Sequence, residues 1–317
     1  EYDLSSLILK LSQAKIPVIG FLQGHGEHEI GSGNPVMGQN SGRDYLIVNQ
    51  TISKNYELRM IRFDQGDLLD GVDVLVVAGS KRDLTKRAIF EIDQYLLRGG
   101  KAIFLIDAVE QLPGVIDLRL VESSVKTLFS PLGVTVASSV LLDELSEFQG
   151  FNAGPGRSFF VQYPPFVRLI QKHFSDHPIV SQIPGFVVRF ASGLTIEEKE
   201  GLSYDRFANT SPASWYQSGP SFSLNPQAIP PATPELKGPQ TFAVAVSGFF
   251  PRLSQENQAP LLERWEEKKE GAHELARVPE DPHRFGREFL SEAKAEAQLL
   301  VFGDSDFIAD PYLESDQ

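Results

Sequence analysis

The stretch "QGHGEHEIG", residues 23 to 31, sets His25, Glu27, His28 and Glu29 beside the glycines Gly24 and Gly26. Imidazole nitrogens and carboxylate oxygens are together a donor set for zinc. Their spacing here, i, i+2 and i, i+3 in a glycine loop, is not the helical HExxH pattern that puts two histidines on one face. Gly24 and Gly26 allow positive φ and close backbone approach. Gly24, His25, Gly26 and Glu27 therefore read as a recognition loop leaving a strand, with a polar turn as the ordinary alternative. A nucleotide cradle is disfavoured. Glu29 stands where G-x-G-x-x-G needs its third glycine, and "GQNSG" at 38 to 42 lacks the Lys-Ser/Thr of a phosphate loop.

Four more positions carry chemistry. Ser80 closes "VDVLVVAGS", Asp107 closes "KAIFLID", and Asp304 and Asp306 flank Ser305 in "GDSDF". Asp107 has the chemistry of a dehalogenase-type nucleophile, but also that of a plain hydrogen-bonding carboxylate. Asp304 and Asp306 could hold Mg²⁺ or simply close a strand-end turn through side-chain hydrogen bonds. There is no G-x-S-x-G elbow to present a serine nucleophile. Cysteine is absent, which removes thiolate catalysis, disulfides and Cys-ligated zinc together. His173, His177, His273 and His283 stand in polar surroundings that imply no partner.

Strands must bring such residues to one edge. "KIPVIGFL" (15–22), "VDVLVVAGS" (72–80) and "KAIFLID" (101–107) are short apolar runs of the kind buried on both faces of a parallel sheet. "YELRMIRFD" (56–64) alternates as a partly exposed strand, and "RDYLIVNQTISKN" (43–55) has a helical face. "DLTKRAIFEIDQYLLRGG" (83–100) predicts a helix with Ile89, Ile92 and Leu96 on one face, Thr85 or Asp83 as its cap and Gly99 as its stop. Strand, helix and strand at this spacing predict a βαβ crossover with 73–78 and 101–106 parallel. Residues 121–144 read as one more such unit, broken at Gly133.

The fold class expected is α/β: a doubly wound, mostly parallel, three-layer sheet of glutamine-amidotransferase-like or flavodoxin-like type. Residues 1–145 form its regular half. Residues 146–317 form a loop-rich half whose strands near 241–250 and 298–303 complete the sheet. A strand is also expected at 186–191. The Pro- and Ser-rich stretch 203–240 reads as a surface loop, and the charged stretch 254–296 as an exposed helical insertion. In such a sheet ligands sit beyond the carboxyl ends of the strands, where Gly24 to Glu27, Ser80, Asp107, Asp304 and Asp306 would converge.

Composition narrows the partners. With 41% hydrophobic and 22% charged residues the chain is an ordinary globular protein. A net charge of −13 with no basic patch argues against nucleic acid and anionic membrane surfaces. No window reaches the roughly 18 apolar residues that span a bilayer. The chain opens at Glu1 and closes in "YLESDQ", which reads as a segment of a longer protein.

In order and wording, "VIGFLQGHGE" (18–27), "DVLVVAGSKRDLTKRAIFEIDQYLLRGGKAIFLID" (73–107), "TFAVAVSGFF" (241–250) and "LLVFGDSDFIAD" (299–310) resemble the extracytoplasmic domain of ABC-type transport auxiliary components. The resemblance is to the GldG-like, gliding-motility-associated family and spans nearly the whole chain. It implies an amidotransferase-like α/β domain without the catalytic cysteine, in agreement with Asp107 at the elbow position. It further implies a parent protein anchored by hydrophobic segments outside this sequence, on the periplasmic face of the bacterial inner membrane, beside an ABC permease and ATPase. No cofactor and no catalytic residue carry over. The expected function is a non-enzymatic accessory domain binding a small ligand or a partner. The alternatives are a metal-assisted hydrolase using His25, Glu27, Asp107 and Asp304 or Asp306, and a glycan-binding module with Trp215 and Tyr216 as stacking platforms.

Overall fold

The run VLVVA is buried at four of its five positions because neighbours pair with it on both sides and pack on both of its faces. In the computed structural model, which describes residues 15–31, 45–111, 117–152, 154, 156–233, 238–268, 272–279, 281 and 288–310, this run is β3 (Val74–Ala78). Its parallel neighbours are β1 (Val18–Leu22) and β4 (Lys101–Leu105). β2 (Glu57–Ile61) adds to β1, and β19 (Ala297–Phe302) adds to β4, both parallel. β16 (Thr241–Gly248) and β13 (Leu202–Asn209) extend the β19 side antiparallel. The result is one seven-stranded mixed sheet, ordered β13-β16-β19-β4-β3-β1-β2.

Two α-helices occur among the described residues, α1 (Leu46–Ile52) and α2 (Lys86–Leu97). α2 is the predicted crossover from β3 to β4. Thr85 caps it by accepting the N–H of Ala88 through its side chain, and Gly99 ends it at φ +86°. Ala88, Ile92 and Leu96 pack with Leu75, Val77, Phe104 and Val301 into the main core. α1 starts where the Asp310 carboxylate accepts the N–H groups of Leu46 and Ile47, at 2.8 and 2.9 Å.

The doubly wound three-layer expectation, amidotransferase-like or flavodoxin-like, is overturned: the described residues form nineteen strands, many in small antiparallel sheets, around one mixed sheet. The expected αβ unit at 121–144 contains only two 3₁₀ turns, Ser124–Thr127 and Ser130–Leu132. Serines, a threonine and Pro131 leave no run able to sustain α-helical bonding there. Its strands β7 (Val134–Val136) and β8 (Ser139–Asp143) do not enter the central sheet. They pair antiparallel with β12 (Leu194–Ile196) and β14 (Ser214–Ser218). β8 is buried at every position, which is what made it read as a central parallel strand.

The rest of the insertion between β4 and β19 follows the same antiparallel rule. β5 (Val109–Gln111), β6 (Asp117–Leu120) and β15 (Ser221–Ser223) form one sheet. β9 (Ser146–Asn152), β10 (Ser158–Ile170) and β11 (Gly185–Arg189) form another. The expected loop 203–240 thus supplies β13, β14 and β15. In place of the expected helical insertion at 254–296 stands a hairpin of β17 (Glu263–Glu267) and β18 (His273–Arg277). Its Glu, Lys and Arg content favours helix locally, but pairing Trp265 with Leu275 and Glu263 with Arg277 settles it as strand.

Two contacts fix this arrangement. Asp73 accepts the Val18 N–H at 2.8 Å and the Lys15 ammonium at 3.3 Å, tying the entry of β1 to that of β3. Ser192, between β11 and β12, donates its N–H to the Gly303 carbonyl at 2.7 Å and so clips the insertion to the end of β19. A Cβ on Gly303 would lie 2.0 Å from the Ser192 carbonyl oxygen, a separation only glycine avoids.

The Val18 hydrogen bond holds the Asp73 carboxyl below its usual value. A folded-state value below the unfolded one gives stability that is present above about pH 4 and lost as pH falls through the folded value. Asp73→Asn should therefore lower the thermal midpoint at pH 7, with the difference from the native chain closing toward pH 2. A difference that stays constant with pH contradicts the assignment. Gly303→Ala should cost about 3 kcal/mol of unfolding free energy in urea titration. A cost within experimental error would mean that the insertion is not clipped here.

Candidate functional site

Because β1, β3, β4 and β19 are adjacent and parallel, the segments leaving their carboxyl ends emerge along one rim. After β1 come Gly24 to Glu29, after β3 Ser80 and Lys81, after β4 Asp107, and after β19 Gly303 to Asp306. The structure thus places all eight residues singled out in the sequence on this rim, where they divide into two groups.

The first group braces the rim from within. Glu27 accepts the His25 N–H at 2.7 Å, meets His25 Nδ1 at 3.1 Å and accepts the Ser80 hydroxyl at 3.0 Å. All three side chains are buried, and none lines the adjoining cavity. Gly24 and Gly26, at φ +119° and +83°, let the loop double back so that the His25 carbonyl accepts the Arg82 N–H at 2.9 Å. His25 and Glu27 therefore do not share one ligand set with Asp107 and either Asp304 or Asp306, as the hydrolase alternative would require.

The second group centres on Asp107. One carboxylate oxygen accepts the Ser305 N–H at 2.6 Å; the other accepts the Ser305 hydroxyl at 2.6 Å and the Lys81 ammonium. Ser305 Oγ lies 2.8 Å from His28 Nε2, which is also 3.1 Å from Asp306 Oδ1. The single hydroxyl proton of Ser305 goes to Asp107, so His28 Nε2 must carry the proton shared with Ser305 and Asp306. Tyr45 stacks on the His28 ring with centroids 4.8 Å apart and donates its hydroxyl to the Ser305 carbonyl at 2.6 Å. Gly79 leaves room for this packing: a Cβ there would meet Ser305 Oγ at 2.6 Å and His28 Cδ2 at 2.7 Å.

Charge is concentrated here. Burial, then the neighbouring Asp306 and Asp107 carboxylates, push the Asp304 carboxyl well above its usual value. Its Oδ1 accepts the Asp306 N–H at 3.0 Å, while its buried Oδ2 has no hydrogen-bond partner among the described residues. Against the cost of burial, the hydrogen bond from His28 and the Lys81 ammonium hold Asp306 below the ordinary carboxylate range. Burial also works against the Lys81 ammonium, but Asp107 and Asp306 outweigh it and raise its pKa above the usual lysine value.

These residues line a cavity of about 240 Å³. Its rim wall is His28, Lys81, Asp107, Asp304 and Asp306. Its outer wall comes from the insertion: Val109, Glu110 and Gln111 of β5, Leu118 of β6, and Arg189 and Phe190 at the end of β11. Phe190 has φ +61°, an unfavourable value for a non-glycine residue, and it is held there by its N–H to the Pro165 carbonyl at 3.0 Å and by an edge contact with Phe166. Ligating atoms of His28, Asp107 and Asp306 lie within 4.8 Å of one another, the one such set among the described residues.

Lys81, Ser305, Tyr45, Arg189 and Phe190 are the site residues that the sequence did not single out by role; His28 enters there only as one of four possible zinc donors in its loop. Lys81 adjoins a recognised position, so strand-end placement alone was its available signal. Arg189 and Phe190 arrive only through the fold of the insertion. Trp215 is buried among Val140, Leu142 and Phe222 and donates its indole N–H to the Pro230 carbonyl at 3.0 Å, which leaves no open face for sugar stacking. "GQNSG" and His283 lie outside the described residues.

No helix among the described residues is long and apolar enough to cross a membrane. No curated protein matches the sequence. Among solved structures, one described as "mmIFT52 N-terminal domain" is similar over 93% of this chain and 90% of that one, at 13% identity and a TM-score of 0.47. The model of a family of auxiliary components, described as "ABC-type uncharacterized transport system", matches residues 16–317. With nearly its whole length matched, the chain belongs to this family of ABC-type transport auxiliary components.

Proposed function

We propose that this chain is a non-enzymatic recognition domain of its transport system, working on the periplasmic side beside the permease and ATPase and taking a small polar ligand into the rim cavity. The observation that carries the reading is the cavity itself: four parallel strand ends and three insertion strands converge on it with charged side chains of both signs. Lys81 and Arg189 present cations, Glu110, Asp304 and Asp306 present carboxyl groups, and Val109, Leu118 and Phe190 supply the apolar surface. Mostly preformed concave sites with a few placed polar groups are where small molecules bind. The gliding-motility branch of the family is the finer assignment that goes with this reading.

One contact favours a second reading. Ser305 Oγ at 2.8 Å from His28 Nε2 is the pairing of an activated serine. Its orientation supports the non-enzymatic reading instead. Ser305 is fully buried, its proton is held by Asp107, and the protonated Nε2 faces it as a donor rather than as a base.

In the full-length parent, Lys81→Ala and Arg189→Ala should still co-purify with permease and ATPase while failing to rescue the phenotype of deleting the gene. Full rescue by both variants, or failure of the native protein to co-purify with either subunit, overturns the reading. A fluorophosphonate probe should leave Ser305 unlabelled, and ester, glycoside and phosphate-ester panels should show no turnover. Labelling lost in Ser305→Ala would establish the hydrolase instead.

A further inference from the structure

Asp304 carries one of the buried polar atoms that have no hydrogen-bond partner among the described residues. A buried carboxylate oxygen without a partner is costly, because nothing replaces the water it gave up. Its Oδ2 is in that state among the described residues, and Asp304 is one of the residues around the cavity that His28, Asp107 and Asp306 also line. Those three residues already bring one imidazole nitrogen and two carboxylate oxygens within 4.8 Å of one another. One nitrogen with carboxylate oxygens is the donor chemistry of Zn²⁺ and Mn²⁺, and the nitrogen disfavours Ca²⁺ and Mg²⁺.

We propose that His28, Asp107 and Asp306 bind a divalent transition-metal ion, with the Lys81 ammonium as the exchangeable counter-ion of the metal-free state and Asp304 as a buried carboxyl beside the set. The inference rests on the cavity being the recognition site and names part of what it recognises. Lys81 Nζ contacts Asp107 Oδ2, an oxygen that the incoming ion needs. Its side chain is about a quarter exposed, at 28%, so it has a route into solvent. A carboxylate offers about four lone-pair sites. Departure of Lys81 frees one on Asp107 while Ser305 keeps its two hydrogen bonds. The ion takes the place of the Nε2 proton of His28, because a ligating nitrogen must be deprotonated; that proton moves to Nδ1 of a neutral ring, or to solvent from an imidazolium. Ser305 Oγ and Asp306 Oδ1, which shared that proton, then lie beside the ion in its place.

The test uses Zn²⁺ in isothermal titration calorimetry and Co²⁺ in visible absorption, on the native chain at neutral pH with Mg²⁺ as the control ion. One Zn²⁺ per chain should bind, and Co²⁺ should give ligand-field bands. His28→Gln and Asp306→Asn should each weaken Zn²⁺ at least about tenfold and abolish the Co²⁺ bands. His25→Gln should leave both unchanged. Lys81→Gln should tighten Zn²⁺, a result that a merely structural lysine would not give. No saturable one-to-one binding, equal affinity in the His28 and Asp306 variants, or weaker binding in Lys81→Gln overturns the proposal. Absence of metal binding together with loss of rescue by the cavity variants would overturn this inference alone. Metal binding with full rescue by those variants would overturn the recognition reading alone.

Discussion

The rim is held together by one carboxylate. Asp107 accepts from the backbone and hydroxyl of Ser305 and from Lys81, so the ends of β4, β19 and β3 are joined through two oxygen atoms. These are charge-assisted hydrogen bonds in a buried setting, where each exceeds a neutral one in strength. Without Asp107, a buried N–H, a buried hydroxyl and a largely buried ammonium would lose their partner at the same time. The dependence continues outward. Ser305, so fixed, positions His28 and receives the Tyr45 hydroxyl, and His28 in turn steers Asp306. The hydrophobic core beneath fixes where the strands run; this network fixes what their ends present.

That division explains what the sequence revealed. β3, α2 and β4 were legible, cap and glycine stop included, because a βαβ crossover writes its signals within about 30 consecutive residues. Ser80, Asp107, Asp304 and Asp306 were legible as a group because each directly follows a buried run that had to be a strand. The insertion was not legible. β6 pairs with β15 and β8 with β14 across long stretches of chain, and no local pattern records which segments will meet. Its strands are short and rich in serine, as in SWYQS and SFS, so locally they resemble loops. His28 shows the same limit at the site: its partners Ser305 and Asp306 lie at the far end of the chain.

The charged hairpin is fastened to the body by polar contacts rather than left as an appendage. Arg87 of α2 is wholly buried; it bonds Glu91 at 2.8 Å, Asp281 at 2.6 Å and the Pro260 carbonyl at 3.1 Å. A guanidinium so enclosed requires these partners, so α2 and the segment around the hairpin are mutually dependent. Trp265 donates its indole N–H to the Asp83 carbonyl at 3.0 Å, and Arg82 meets His273 at 2.7 Å. Asp83 and Arg82 directly follow Lys81, so the hairpin grips the very segment that supplies a cation to the cavity.

The cavity therefore stands between the rim and the insertion, and two unfavourable features sit where they meet. Phe190 holds an unfavourable φ on the insertion side, and on the rim side one buried oxygen of Asp304 has no partner among the described residues. Neither would persist in a loosely built region, because a rotation of the loop would relieve it. Both survive because the Gly303–Ser192 clip, the Asp107 network and the Phe166 contact over-determine their positions. Departures from local rules of this kind persist only where a stable surround holds them in place. The sheet supplies the stability, and the rim is where the unfavourable features are held.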